Sequence, residues 1–233
     1  RHAEGMYEER ASVVAGAVVW HKRTGELRPA QSRVLPDGCM DLIWMHGDLV
    51  VAGPDTVAHV VGGEPSAHTG IRFAPGLGPA VFGVPAVELR DRRVPLADVW
   101  PAREARAWVE HIGESADPGP VLEHIAARRL RETAPDPVAQ AVAAGLARGA
   151  GVAALADQVG FSGRQLHRRS VAAFGYGAKT LGRVLRLGRA LELARGGEPF
   201  ADVAARAGYA DQSHLAREVR SLTGVPLTAL VGG

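Results

Sequence analysis

The chain has 233 residues, 46% of them hydrophobic and 22% charged, which is ample for one or two packed cores and excludes a disordered polyelectrolyte. Its one cysteine, Cys39, excludes an intrachain disulfide and a cysteine-rich zinc site, and so points to a reducing compartment. The net charge of +2 hides an asymmetry: residues 151–233 carry +5, residues 1–150 carry −3, and 161–195 alone carry +7.

No apolar run approaches the roughly 20 residues that span a bilayer. The start, Arg1 to Arg10, is too charged for a signal peptide, so a cytoplasmic protein with no membrane partner is expected. Residues 11–94 are rich in Gly, Pro and β-branched residues and hold short apolar runs: Val13-Val14, Ala17–Trp20, Cys39–Met45, Leu49–Val51, Val60-Val61, Ile71–Phe73, Val81-Phe82 and Val87–Leu89. Short runs bounded by turn residues predict strands, with His46-Gly47-Asp48 as a hairpin turn between two of them. The expectation is a mainly β domain, as a cupin-like barrel or a curled sheet.

From Pro95 the pattern becomes helical. Ala105, Trp108, Val109 and Ile112, then Leu122, Ile125, Ala126 and Leu130, recur at helix spacing and predict two helices that close the first domain. Glu132-Thr-Ala-Pro135-Asp-Pro137 breaks that pattern and is the expected linker, giving a domain over 1–131, a linker over 132–137 and a second domain over 138–233. The second domain reads as all α: helices over Ala139–Ala147, Val152–Val159, Gly163–Ala173, Thr180–Ala194, Phe200–Ala207, Gln212–Leu222 and Pro226–Leu230. The fold class is therefore α+β, with a mainly β first domain and an all-α second one.

Within the second domain one pattern occurs twice. Leu155-Ala-Asp-Gln-Val-Gly-Phe-Ser162 and Val203-Ala-Ala-Arg-Ala-Gly-Tyr-Ala210 each place a glycine (Gly160, Gly208) where a helix must stop in a left-handed turn, then an aromatic (Phe161, Tyr209) to plug the corner. Ser162 stands three residues before Gln165, a capping-box spacing, and Asp211 is a good N-cap for the helix after it. Phe161 precedes Leu166 by five residues and Tyr209 precedes Leu215 by six, so the second reader helix begins one residue later from its corner. Two helix-turn-helix units and a local excess of cations predict binding to the phosphates of double-stranded DNA.

These two units, the central Arg-Val-Leu-Arg-Leu-Gly-Arg-Ala (183–190), the string Gly-Tyr-Ala-Asp-Gln-Ser-His-Leu-Ala-Arg (208–217) and the closing Thr-Gly-Val-Pro (223–226) resemble the AraC/XylS family of bacterial transcription regulators over roughly residues 138–231. The resemblance implies a monomeric two-reader domain whose recognition helices enter successive major grooves, as two helices on a rigid connector can when the groove repeats every ~34 Å. Carried onto this sequence, the first reader offers Ser162, Arg164, Gln165, His167, Arg168 and Arg169, with Leu166 and Val171 inward. The second offers Asp211, Gln212, Ser213, His214 and Arg217, with Leu215 and Val219 inward. Lys179 and Arg220 fit phosphates, which position without specifying. Arg168 and Arg217 hold matching places and serve either base readout or intradomain ion pairs; Arg183, Arg186 and Arg189 serve either DNA or structure. The family's reader helices commonly carry an aromatic where this chain has Ser170 and Val219, leaving space for Phe174 or Tyr176 to fill in the first unit.

In the first domain, Leu35-Pro-Asp-Gly-Cys-Met-Asp-Leu-Ile-Trp44, Gly70-Ile-Arg-Phe-Ala-Pro-Gly76 and Val94-Pro-Leu-Ala-Asp-Val-Trp100 resemble an N-terminal domain of poorly defined function found fused to AraC-type readers. Alternation puts Cys39, Asp41, Ile43 and Met45 on one strand face and Met40, Leu42, Trp44 and His46 on the other. Asp41 is costly to bury alone, and Arg72 is its obvious partner. Trp20, Cys39, Asp41, Trp44, Arg72 and Phe73 are the candidate contacts for a small-molecule effector, with an ordinary core as the competing role for the aromatics. Cys39 is a buried small hydrophobe, a redox sensor, or an alkyl acceptor as in DNA-repair regulators with AraC-type readers; either chemical role needs a lowered pKa. No Cys/His cluster has metal-ligand spacing and no cofactor motif occurs, so neither a metal nor a cofactor is expected. The sequence thus predicts a non-enzymatic DNA-binding transcription regulator, monomer or homodimer, with DNA, an effector and RNA polymerase as partners. An alkyl-transfer protein using Cys39 and an effector-independent DNA-binding module are the alternatives.

Overall fold

The computed structural model describes residues 6–24, 32–61 and 66–231; Arg1 to Gly5 of the charged start lie outside them. Strands β1 (Met6–Ala11), β2 (Ala17–Thr24), β4 (Met40–Met45), β5 (Asp48–Ala52), β7 (Ser66–Phe73) and β8 (Arg93–Pro95) form one antiparallel sheet ordered β1-β2-β7-β4-β5-β8. Strands β3 (Ser32–Val34) and β6 (His59–Val61) pair separately. The large sheet is open, since its edge strands β1 and β8 do not pair with one another. A two-residue turn joins β4 to β5 with positive φ at both His46 (51°) and Gly47 (78°), the geometry that matches the twist of a hairpin.

Strand alternation decides the core. Val19, Ile71 and Leu42 lie opposite one another on adjacent strands, as do Phe73 and Met40, and all five are buried. Helices α1 (Gly78–Phe82), α2 (Ala102–Gly113) and α3 (Pro118–Glu132) cover this face with Phe82, Ile112, Leu122 and Ile125. The two closing helices are where the periodicity predicts them. Three short apolar runs are not strands, however. Val81-Phe82 belongs to α1, which Pro79 opens and Gly83 (φ 77°) ends. Val87 lies in the 3-10 turn Ala86–Glu88, and Val13-Val14 in the bend between β1 and β2.

The remaining helices are α4 (Pro137–Ala147), α5 (Val152–Gln158), α6 (Gly163–Phe174), α7 (Ala178–Arg195), α8 (Phe200–Ala207), α9 (Gln212–Thr223) and α10 (Leu227–Val231). They enclose two separate apolar cores strung on one helix. Leu181 and Val184 of α7 pack with α4, α5 and α6, whereas Leu187, Ala190 and Leu191 pack with α8, α9 and α10. No helix among the described residues is long and apolar enough to cross a membrane.

Candidate nucleic-acid interface

The first unit consists of α5, the corner at Gly160-Phe161 and α6. Gly160 takes the left-handed conformation (φ 69°) that turns the chain. Ser162 then closes a capping box: its hydroxyl accepts from the Gln165 amide at 3.3 Å, and the Gln165 side chain accepts from the Ser162 amide at 2.8 Å. Both residues thereby support the helix start they were expected to present to DNA. Leu166, Ser170 and Phe174 form the buried stripe of α6, while Val171, expected inside, is only half-buried. Phe174 and Tyr176, the expected fillers of the first unit, are both buried in its core. The Ser170 hydroxyl is buried with no hydrogen-bond partner among the described residues.

Arg164, Gln165, His167 and Arg168 stand on the exposed face of α6, and Lys179 is exposed at the start of α7. Arg169 is exposed too but engaged: it bonds the Asp136 carboxylate at 3.0 Å and lies over the Phe161 ring at 5.1 Å. Asp136 is also the N-cap of α4, accepting from the Val138 amide, so Arg169 ties the reader to the first helix of its unit.

The second unit, α8 and α9, turns at Gly208 (φ 86°) and Tyr209. Asp211 caps α9 by accepting from the His214 amide at 2.6 Å. The reader starts three residues after Tyr209, against two after Phe161, which is the predicted one-residue offset. Gln212, Ser213, Arg217 and Arg220 are exposed. His214 is half-buried: its Nδ1 accepts from the Ala210 amide and its ring meets the edge of Tyr209. Leu215 and Val219 face inward as expected.

A residue that the sequence reasoning missed holds this unit together. Glu218 is buried beneath α9 and accepts from Arg186 at 2.7 Å and Arg183 at 3.3 Å, both on α7. Burial works against its ionisation, but the hydrogen bond and charge of Arg186, and those of Arg183, prevail and hold its pKa below the usual carboxylate value. Arg186 also covers the Tyr209 ring at 4.5 Å and donates to the Gly208 carbonyl. Arg189 donates to the Ala147 carbonyl. The three joining-helix arginines thus face structure. Among the described residues, Arg164, Arg168, Lys179, Arg217 and Arg220 have no ion-pair or hydrogen-bond partner for their side chains, which leaves available cations on both units.

In the first domain the candidate effector contacts divide between the two faces of the sheet. Asp41, Arg72 and Trp20 come together: Arg72 Nε donates to Asp41 at 3.2 Å and Trp20 Nε1 donates to the same carboxylate oxygen at 2.7 Å. Burial, opposed by the Arg72 charge, pushes the Asp41 carboxyl up to about 6. Phe73 and Trp44 belong to the opposite, core-facing side, where Phe73 is fully buried against Phe82. Trp44 borders a cavity of about 490 Å³ at the end of the sheet, together with His21, Arg23, Thr69 and Asp117. Cys39 sits beside Asp37 and Asp41; burial first and these carboxylates second raise its pKa well above the ordinary thiol value. A thiol held in its protonated form is the reverse of what an alkyl acceptor requires.

Residues 155–231 match the family described as a helix-turn-helix domain, and residues 16–95 match a domain of unknown function (DUF6597). No curated protein matches the chain. Among solved structures the chain is similar to ToxT of Vibrio cholerae. Apo ToxT from strain SCE256, in a lysine-to-alanine variant, aligns over 95% of this chain and 99% of that one at 10% identity and a TM-score of 0.49. ToxT from strain O395 aligns over 94% and 99% at 9% identity and 0.48, and wild-type ToxT bound to an unsaturated fatty acid over 95% and 96% at 11% identity and 0.46.

Proposed function

We propose that this chain, whose residues 155–231 are a helix-turn-helix domain of the AraC type, is a sequence-specific DNA-binding regulator of transcription. The observation that carries this reading is the contrast between occupied and available cations. Arg169, Arg183, Arg186 and Arg189 are held within the protein, while Arg164, Arg168, Arg217 and Arg220 project from the exposed faces of α6 and α9. Arg168 and Arg217 suit bidentate pairing to a guanine edge, Gln165, His167, Gln212 and Ser213 suit further base contacts, and Lys179 and Arg220 suit phosphates. We assign residues 138–233 to this reader, 132–137 to a linker and 1–131 to a regulatory part that takes a small-molecule effector or a protein contact, with RNA polymerase as a downstream partner and the cytoplasm as the site of action. The cavity beside Trp44 supports the effector assignment, which calorimetry of the full chain against a metabolite panel tests.

Selection of bound DNA from a random pool tests the main reading: two blocks about one helical turn apart are expected, and a pool that yields none overturns it. On the selected site, Arg168→Ala and Arg217→Ala each weaken binding by about 1–3 kcal/mol and relax preference at one base pair. An equal loss on all sequences assigns that arginine to a phosphate instead.

A further inference from the structure

The first domain touches both reader units, and one short segment of it reaches both. Gly53–Ala58 leaves β5, with Gly53 and Asp55 buried. Its start is locked: the Gly53 amide donates to the Arg92 carbonyl at 2.9 Å, and a side chain at Gly53 would overlap the Leu89 carbonyl. Asp55 forms a two-point ion pair with Arg93 of β8. Thr56 bonds the Asp91 carboxylate through both its amide (2.7 Å) and its hydroxyl (2.9 Å). Asp91 holds that position in a left-handed conformation (φ 57°), which a non-glycine residue adopts only when its surroundings enforce it.

The two ends of this segment meet different units. Pro54 packs on the left-handed corner Gly175 between α6 and α7, where an added methyl would stand 2.7 Å from the proline ring, and Arg90 donates to the Gly175 carbonyl at 3.1 Å. Four residues on, the Ala58 amide donates to the Leu222 carbonyl at the end of α9 at 2.8 Å. Beside it Arg33 of β3 donates to the Thr223 carbonyl at 2.9 Å, and Leu35 packs on the second core. Four residues reach at most about 14 Å, so the segment is a short strut between the ends of the two reader helices. Within the helical domain the two cores are strung along α7.

We propose that Gly53–Ala58 and Arg33 brace the two readers against each other, and so determine which spacing between the two DNA blocks the protein accepts. The proposal rests on the DNA-binding reading for its consequence, but not for the brace itself. Adding or removing one base pair between blocks rotates the second by about 35° around the duplex, and a rigid pair of readers cannot follow. The readers' own side chains are left untouched, so these are positioning residues.

The test uses the full chain and two readouts. On DNA from the selected pool, re-spaced by −1, 0 and +1 base pair, the unaltered protein loses about tenfold or more on either re-spaced site. Arg33→Ala combined with Ala58→Pro, which removes the two bonds to α9, is expected to shrink that penalty to about threefold or less while base preference within each block stays. Thr56→Ala is expected to act in the same direction, and Arg128→Ala, on the exposed far side of α3, to leave the penalty intact. Independently of DNA, spin labels on Ala172→Cys and Ser221→Cys in a Cys39→Ser background report the separation of α6 and α9, which is narrow with the brace and broad without it. An unchanged distance distribution in the double variant overturns the brace, and so does an unchanged spacing penalty. A protein that selects no two-block DNA defeats the DNA-binding reading, and the distance distribution alone then decides the brace.

Discussion

Aligning the two units by the starts of α6 and α9 places Arg169 and Glu218 at one position, eight residues after Phe161 and nine after Tyr209. The same site carries opposite charges and does the same task with opposite partners: Arg169 bonds Asp136, and Glu218 bonds Arg183 and Arg186. Neither pair was legible from the repeat, because a charge on an exposed-looking helix position is resolved only by what the neighbouring helix puts opposite it. The Asp41–Arg72 pair, by contrast, followed from sequence, since a carboxylate in an apolar strand needs a counter-charge and Arg72 stands directly across the sheet. Glu123 is a third such hub, buried on α3 beneath the bend after β1. The hydrogen bond from Arg10 is the main reason its pKa falls to about 2, helped by donors from Ser12 and the Val13 amide against the opposing effect of burial. A depressed carboxylate stabilises the fold fully above its unfolded value near 4.5 and loses that contribution as pH falls toward 2. Glu123→Gln is therefore expected to cost about 1–2 kcal/mol at pH 7, the exposure of Arg10 being discounted. The gap to the unaltered protein should close between about pH 5 and pH 2 in urea titrations. A gap that does not vary with pH would mean that shape rather than charge holds this site.

Helices were more legible than strands, for a reason visible in particular elements. α8 and α9 carry a capping or left-handed residue at an end and an apolar stripe three or four residues apart, so each is readable without its neighbours. The edge strand β1 is the reverse case. Its Glu8, Glu9 and Arg10 are exposed, it pairs with β2 alone, and no apolar run marks it. α1 is too short for its period to show, and its Val81-Phe82 reads equally well as a strand. Helix α9 gives an element-scale expectation. Its hold on α7 passes through Glu218, so Glu218→Gln, which keeps the shape and removes the charge, leaves two arginines poorly satisfied and should destabilise the protein by about 1–3 kcal/mol. Differential unfolding of the two units checks where the loss falls. Amide exchange rising in α8 and α9 but not in α5 and α6 is the expected outcome, and uniform loss would show the two cores to be one cooperative body.

At the scale of the whole molecule, charge is unevenly distributed along the chain. The first 150 residues are net negative, and the positive excess sits in the helices that carry the readers. Within that excess the sequence cannot separate cations held by the protein from those left available, because Arg186 and Lys179 look alike in a charge count. The structure separates them: Arg186 is spent on Glu218, Tyr209 and Gly208, while Lys179 is exposed and without a partner among the described residues. Counterion release turns this difference into a measurement. Each phosphate neutralised contributes about −0.9 to the slope of log K against log salt concentration. Lys179→Ala should make that slope shallower by about 0.9, whereas Arg186→Ala should leave the slope as it is and lower the unfolding free energy. If Arg186→Ala also flattened the slope, the joining helix would lie against the duplex, and the assignment of its arginines to structure would fall.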